Sequence, residues 1–151
     1  NYLSHGGQLY YCLNEAEIAQ HINGIRKAIC NPDMGCTGGN LATFLASLGI
    51  SNASAAQADT KYRLGVILCE SLLADTGSLV LSDRLGFGTA FPSLPKTTIF
   101  IAFTSQVAAD WEEALSRMRA RSKEIPSNLT LLRPADSDAR HDMHLILIDD
   151  P

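Results

Sequence analysis

Leu72-Leu73-Ala74-Asp75-Thr76-Gly77-Ser78-Leu79-Val80-Leu81-Ser82 is two apolar runs around a four-residue polar corner. An Asp and two hydroxyl residues about a glycine form turns readily, and glycine lets a ligand come close to the backbone. Leu79-Val80-Leu81 is short, β-type and without sustained polar alternation, the pattern of a strand covered on both faces. Such a corner is either an ordinary tight turn between core elements or the polar loop on which an α/β domain keeps its chemistry.

Outward from that stretch, Gly65-Val66-Ile67-Leu68-Cys69 is a second buried strand, with Glu70-Ser71 expected to begin a short turn of helix toward Asp75. Asp83 to Thr89 is expected as a loop. Pro92 and Pro95 lead into Thr97-Thr98-Ile99-Phe100-Ile101-Ala102-Phe103, the most β-rich segment of the chain. Val107, Trp111, Ala114, Leu115 and Met118 recur at helical spacing and predict the last long helix. Leu129–Leu132 and Met143–Ile148 are two more strands.

At the other end, Gln8–Leu13 is a short aromatic strand followed by Asn14-Glu15-Ala16-Glu17, where Asn14 can cap a helix and Glu17 can reach back. Ile18, Ile22, Ile25 and Ile29 form its apolar stripe, and His21 is expected on the solvated side. Gly35–Gly39 lacks the lysine and spacing of a phosphate loop. It is expected as a loop into a helix capped by Asn40, with Leu41, Phe44, Leu45 and Leu48 inward and Gly49 as its stop. Residues 51–63 are small and polar, a surface connection. Strands alternating with helices predict a three-layer α/β sandwich with a largely parallel sheet. At 151 residues it is read as one domain, 1–151.

Composition narrows function. Charged residues are 19% of the chain and its net charge is −4, which is globular and not disordered. Its one basic cluster, Arg117 to Lys123, belongs to a predicted helix end that suits cations. Nucleic acid is therefore not an expected partner. No apolar run reaches membrane-spanning length and no signal peptide is visible, so neither a membrane nor an export route is expected. The chain opens at Asn1 without a methionine, which is consistent with a preceding piece absent from it. Cys12 and Cys69 lie in apolar surroundings, and Cys30 and Cys36 have five residues between them, not a usual zinc or redox spacing. No metal, cofactor or disulfide is expected, and a reducing cytoplasm fits the thiols.

Glu70-Ser71-Leu72-Leu73-Ala74-Asp75-Thr76-Gly77-Ser78-Leu79-Val80-Leu81 resembles the lactate-utilisation (LUD) domain family. Arg84 in the following loop, the proline-marked entry from Pro95 to Phe103 and the ending Met143–Asp150 are similar to it too. So is the opening: Gly6-Gly7, a strand through Cys12, then Asn14–Glu17. The chain departs from the pattern where the family carries Gly-Pro-Ser-Arg-Thr-Ala-Asp-Ile-Glu and His-Gly-Pro. Here Leu132-Arg133-Pro134-Ala135-Asp136-Ser137-Asp138-Ala139-Arg140-His141-Asp142 stands instead, from a shortened loop or from missing residues.

The resemblance implies a fold similar to the sugar-phosphate isomerase, CoA-transferase and formyltetrahydrofolate cycloligase group. It also implies a small anion held at the corner by the Gly77 backbone and the Thr76 and Ser78 hydroxyls. Arg84 would add a bidentate, charge-assisted contact. Asp75 would serve as general base or hold the loop, and His141 is the better acid/base candidate than His144, which the strand pattern places in the core. Two functions follow from the resemblance. One is an accessory subunit of an iron–sulfur L-lactate-oxidising system, whose clusters another subunit holds, since this chain has no cluster-type cysteine spacing. The other is a stand-alone enzyme on a small anionic metabolite, with isomerase-, acyl-transferase- or cycloligase-like chemistry.

Overall fold

The computed structural model describes residues 8–29, 34–36, 39–50, 53–55, 63–82, 97–122, 129–132 and 142–149. Its elements in chain order are β1 (Gln8–Cys12), α1 (Glu15–Ala28), β2 (Met34–Cys36), α2 (Gly39–Ser47), β3 (Ala53–Ala55), β4 (Leu64–Leu68) and β5 (Ser71–Leu73). Then come β6 (Ser78–Ser82), β7 (Thr97–Phe103), a 3₁₀ turn (Thr104–Gln106), β8 (Val107–Ala108), α3 (Trp111–Ser122), β9 (Leu129–Leu132) and β10 (Asp142–Ile148).

Six strands form one sheet in the order β1-β10-β7-β4-β2-β3, and every pairing in it is parallel. The strands are apolar on both sides because both faces are covered. Val66, Ile99, Ile101, Ile146 and Ile148 point to one face, where α1 brings Ile18, Ile22 and Ile25 and α2 brings Leu41 and Leu45. Ile67, Phe100, Ala102, Met143 and Leu145 point the other way, onto Leu72, Leu79 and Leu81.

Those three leucines belong to a second, four-stranded sheet of order β8-β5-β6-β9. β6 runs antiparallel to β5 and β9, and β8 parallel to β5. Leu73, Val80 and Ala108 turn away from the large sheet and pack on Ala114, Met118 and Trp111 of α3. The chain crosses between sheets at two residues: the Cys69 N–H donates to the Ile101 carbonyl at 2.9 Å, and the Glu70 N–H to Val80 at 2.8 Å. The α/β class and its parallel sheet are thus as expected, and Leu79–Leu81 is covered on both faces, by a sheet and by a helix.

The helix ends follow local chemistry. Asn14 Oδ1 accepts the Glu17 N–H at 3.0 Å, and Glu17 reaches back to the Leu13 N–H at 2.8 Å. α2 stops at Gly49, whose φ is 83°, with the Gly49 and Ile50 N–H groups closing on Ala46 and Leu45. Ile50 then packs with Leu45 in the core, a Schellman-type ending.

Six local expectations are corrected. Met34–Cys36 is strand, not loop, and Asn40 lies inside α2, whose first residue is Gly39. Ala53–Ala55 is a strand within the expected surface connection. Ser71 begins β5, not a helical turn, because its strand pairs with both β6 and β8. Val107 lies in β8, and α3 opens at Trp111 behind Asp110, whose Oδ1 accepts the Glu113 N–H at 2.9 Å. His21 is half-buried and its ring lies tilted against that of Tyr10, with centroids 4.7 Å apart. A polar-face position on α1 still meets the protein there, because β1 lies beneath it.

Candidate functional site

The Asp75 corner is the turn of the β5–β6 hairpin, and its backbone is committed to the fold. The Ala74 and Asp75 N–H groups donate to the Ala108 and Ala109 carbonyls at 2.8 and 3.1 Å, and that of Gly77 to Leu73 at 2.9 Å. Gly77 has φ 71°, the left-handed region in which a Cβ is penalised. Gly77→Ala is therefore expected to cost about 1–2 kcal/mol, seen as a lower urea midpoint with an unchanged slope.

With those amides used, side chains are what the corner presents. Thr76 Oγ1 and Ser78 Oγ are 2.7 Å apart. Ser78 is buried, Thr76 half-buried and Asp75 exposed. The arrangement offers a paired hydroxyl couple beside a surface carboxylate. The Gly77 N–H, expected to face a ligand, is turned to the Leu73 carbonyl. Arg84 and His141 lie outside the described residues.

A second set of polar groups gathers where the parallel strands end. Gln106 binds two of those ends together: its Oε1 accepts the Phe103 N–H at 2.8 Å and its Nε2 donates to the Cys69 carbonyl at 3.0 Å. Next to Cys69, Glu70 is 3% exposed. Here the neighbouring strands β2 and β4 part: β2 leads into α2 on one face, while β4 leads into the small sheet on the other. Open α/β sheets take their ligands beyond strand ends that diverge in this way. Sequence reading missed this edge. Its one available signal was Glu70, an acid inside the apolar run from Gly65 to Leu73.

Elsewhere, Arg117 on α3 donates to the Ser105 and Val107 carbonyls at 3.2 and 2.6 Å and pairs with Glu113 at 2.6 Å. This member of the basic cluster is a clamp on the 3₁₀ turn and β8. His144 is buried as expected, with Nδ1 3.2 Å from the Tyr10 hydroxyl. The Tyr11 hydroxyl is bonded to the Asp149 carboxylate, which raises the phenol above its ordinary pKa. Cys12, Cys36 and Cys69 are free and buried. Burial pushes Cys36 up to about 11 and raises Cys69 as well, with Glu70 adding to the latter. These thiols are therefore poor nucleophiles near neutral pH. Among the described residues no group of three metal-binding side chains converges, and no helix is long and apolar enough to cross a membrane.

A parallel six-stranded sheet with helices on one face and a smaller sheet on the other, with polar groups collected at its diverging strand ends, defines an α/β domain. The chain belongs to the LUD domain family, whose model matches residues 42–148. It is 28% identical over 95 residues to Lactate utilization protein B of Bacillus licheniformis, across 57% of this chain and 20% of that protein. The chain thus spans about a fifth of that relative's length. Its fold is also that of a DUF162 family protein from Deinococcus radiodurans. That crystal structure matches with a TM-score of 0.68 at 17% identity, covering 98% of this chain and 91% of that one.

Proposed function

We propose that the chain is a lactate-utilisation protein, the accessory, non-redox component of an iron–sulfur L-lactate-oxidising system, and that it binds a small anionic metabolite. The observation that carries this reading is the LUD domain match over residues 42–148, joined by the similarity to a protein named for lactate utilisation. The ligand's anionic groups would meet the Thr76–Ser78 hydroxyl pair and Arg84, with Asp75 and His141 as the acid/base candidates. The partner would be the cluster-bearing oxidoreductase subunit, and the compartment the cytoplasm.

A second reading is a stand-alone enzyme on a small anionic metabolite. The polar groups gathered at the diverging ends of the parallel strands, where open α/β sheets take their ligands, support it.

Thermal unfolding of the purified chain against L-lactate, pyruvate, sugar phosphates, CoA esters and folates tests the ligand. A binder present at a hundredfold over its dissociation constant is expected to raise the midpoint by about 5–10 °C. The rise should be lost in Thr76→Val and Arg84→Ala. Mixing with a purified iron–sulfur lactate oxidoreductase subunit tests the partner. A complex of defined stoichiometry supports the accessory role. Turnover of a panel compound by the chain alone supports the enzyme.

A further inference from the structure

Residues 104–109, between β7 and α3, form a strap held by two sets of bonds. The first set joins it to the sheets. Gln106 ties it to the ends of β7 and β4, and Val107 and Ala108 pair with Leu72 and Leu73 of β5. The Ala108 and Ala109 carbonyls accept the Ala74 and Asp75 N–H groups at 2.8 and 3.1 Å. The second set comes from α3. Arg117 Nη1 donates to the Ser105 and Val107 carbonyls at 3.2 and 2.6 Å, and Glu113 Oε2 accepts the Ala109 N–H at 2.7 Å. Arg117 Nη2 closes on Glu113 Oε1 at 2.6 Å, one helical turn away. The pair therefore grips the strap at residues 105, 107 and 109.

We propose that Arg117, with Glu113, is a positioning residue for the Asp75 corner, given the reading of that corner as the ligand site, on which this rests. Through the strap it fixes where Thr76 stands relative to Ser78, and so the shape of the hydroxyl pair offered to an anionic ligand. The two hydroxyls, 2.7 Å apart, are placed by different means. Ser78 is buried and paired with Leu73 inside the hairpin. Thr76 follows Ala74 and Asp75, whose amides are bonded to the strap. With side chains 43% and 38% exposed, the ion pair adds little stability of its own. What it supplies is direction. A planar guanidinium donates to two carbonyls and a carboxylate in one fixed fork, whereas a lysine offers a point charge on a flexible stem.

Amide hydrogen exchange of the full chain, followed residue by residue by NMR without ligand, tests this. The Ala74 and Asp75 amides report the bonds to the strap. The Cys69 amide, bonded to Ile101, reports the large sheet, and the Gly77 amide, bonded to Leu73, reports the hairpin alone. Arg117→Ala is expected to speed exchange at Ala74 and Asp75 at least about tenfold more than at Cys69 or Gly77. The Thr76 methyl resonance should move as its limb loosens. Exchange that rises equally at all four amides, as a plain loss of stability gives, overturns the proposal. So does a Thr76 methyl that stays in place.

Two further variants separate the parts of the grip. Glu113→Ala removes the acceptor of the Ala109 N–H and should loosen the same two amides; parent rates in that variant count against the proposal. Arg117→Lys keeps a charge opposite Glu113 but not the fork, and should recover less than about half of the lost protection. Full recovery with lysine would show that charge alone suffices, and refute it. A parent chain whose Ala74 and Asp75 amides already exchange as fast as free peptide refutes it too. No ligand enters these measurements, so a failed ligand screen and a failed strap are told apart.

Discussion

Phe100→Ala is expected to lower stability by about 3–5 kcal/mol. Phe100 lies on β7, is fully buried, and fills the layer between the two sheets with Ile67, Leu79, Leu81 and Leu145. Two hydrogen-bonded sheets facing each other close only partly into a space vacated between them. The cavity is therefore retained, and its cost adds to the lost transfer energy. Against a usual total of about 5–15 kcal/mol this is a large fraction. It is measured as a fall of about 2 M in the urea midpoint. Phe100→Leu, which keeps most of the volume, is expected to cost about 1 kcal/mol. A loss under about 1 kcal/mol for the alanine variant would mean that the sheets close up on each other and that this layer is softer than its burial implies.

The second large effect is expected on the opposite face. Ile22→Ala removes the centre of the α1 stripe, a side chain with no exposure that packs into the cluster of Val66, Ile99 and Ile146, and should cost about 2–5 kcal/mol. The two residues belong to separate clusters on either side of one sheet. Milder changes at both, Phe100→Leu with Ile22→Val, should therefore add to within about 0.5 kcal/mol. A larger coupling would show that strain passes through the sheet itself. Urea unfolding of the two single variants and the double variant decides it.

How far sequence reading reached depends on how much each element owes to its own residues. β4, β7 and β10 carry runs of Val, Ile and Leu long enough to be strands anywhere, and α1 states its start in Asn14 and Glu17 and its face in four isoleucines. Met34-Gly35-Cys36 and Ala53-Ser54-Ala55 carry no such mark. They are extended because a neighbouring strand offers hydrogen bonds to each. Val107 misled by falling on the period of Trp111, Ala114 and Met118. The better signal was Asp110-Trp111-Glu112-Glu113, which repeats the capping chemistry of Asn14–Glu17.

The site follows the same division. The Asp75 corner is legible because turn chemistry is local, whereas Glu70 and Gln106 are brought to one edge by the ends of β4 and β7. The contact of Tyr10 with His144 joins residues 134 positions apart, beyond the reach of any periodicity.

The order of the large sheet bears on how a ribosome could deliver this protein. β10 is the last of the described strands to be made, yet it sits between β1, the first, and β7. Until it emerges, β1 has no neighbour among the described strands, and β7 shows an open apolar edge. Synthesis therefore yields a half-built sheet that must wait for its inner member. Closing it means threading a strand into a gap rather than adding one to a rim. Such long-range parallel pairing is slow, and the waiting form is the one exposed to aggregation. A nascent chain stalled before Asp142 should accordingly be protease-sensitive along β1 and β7, and gain protection in both together once Ile148 has cleared the exit tunnel.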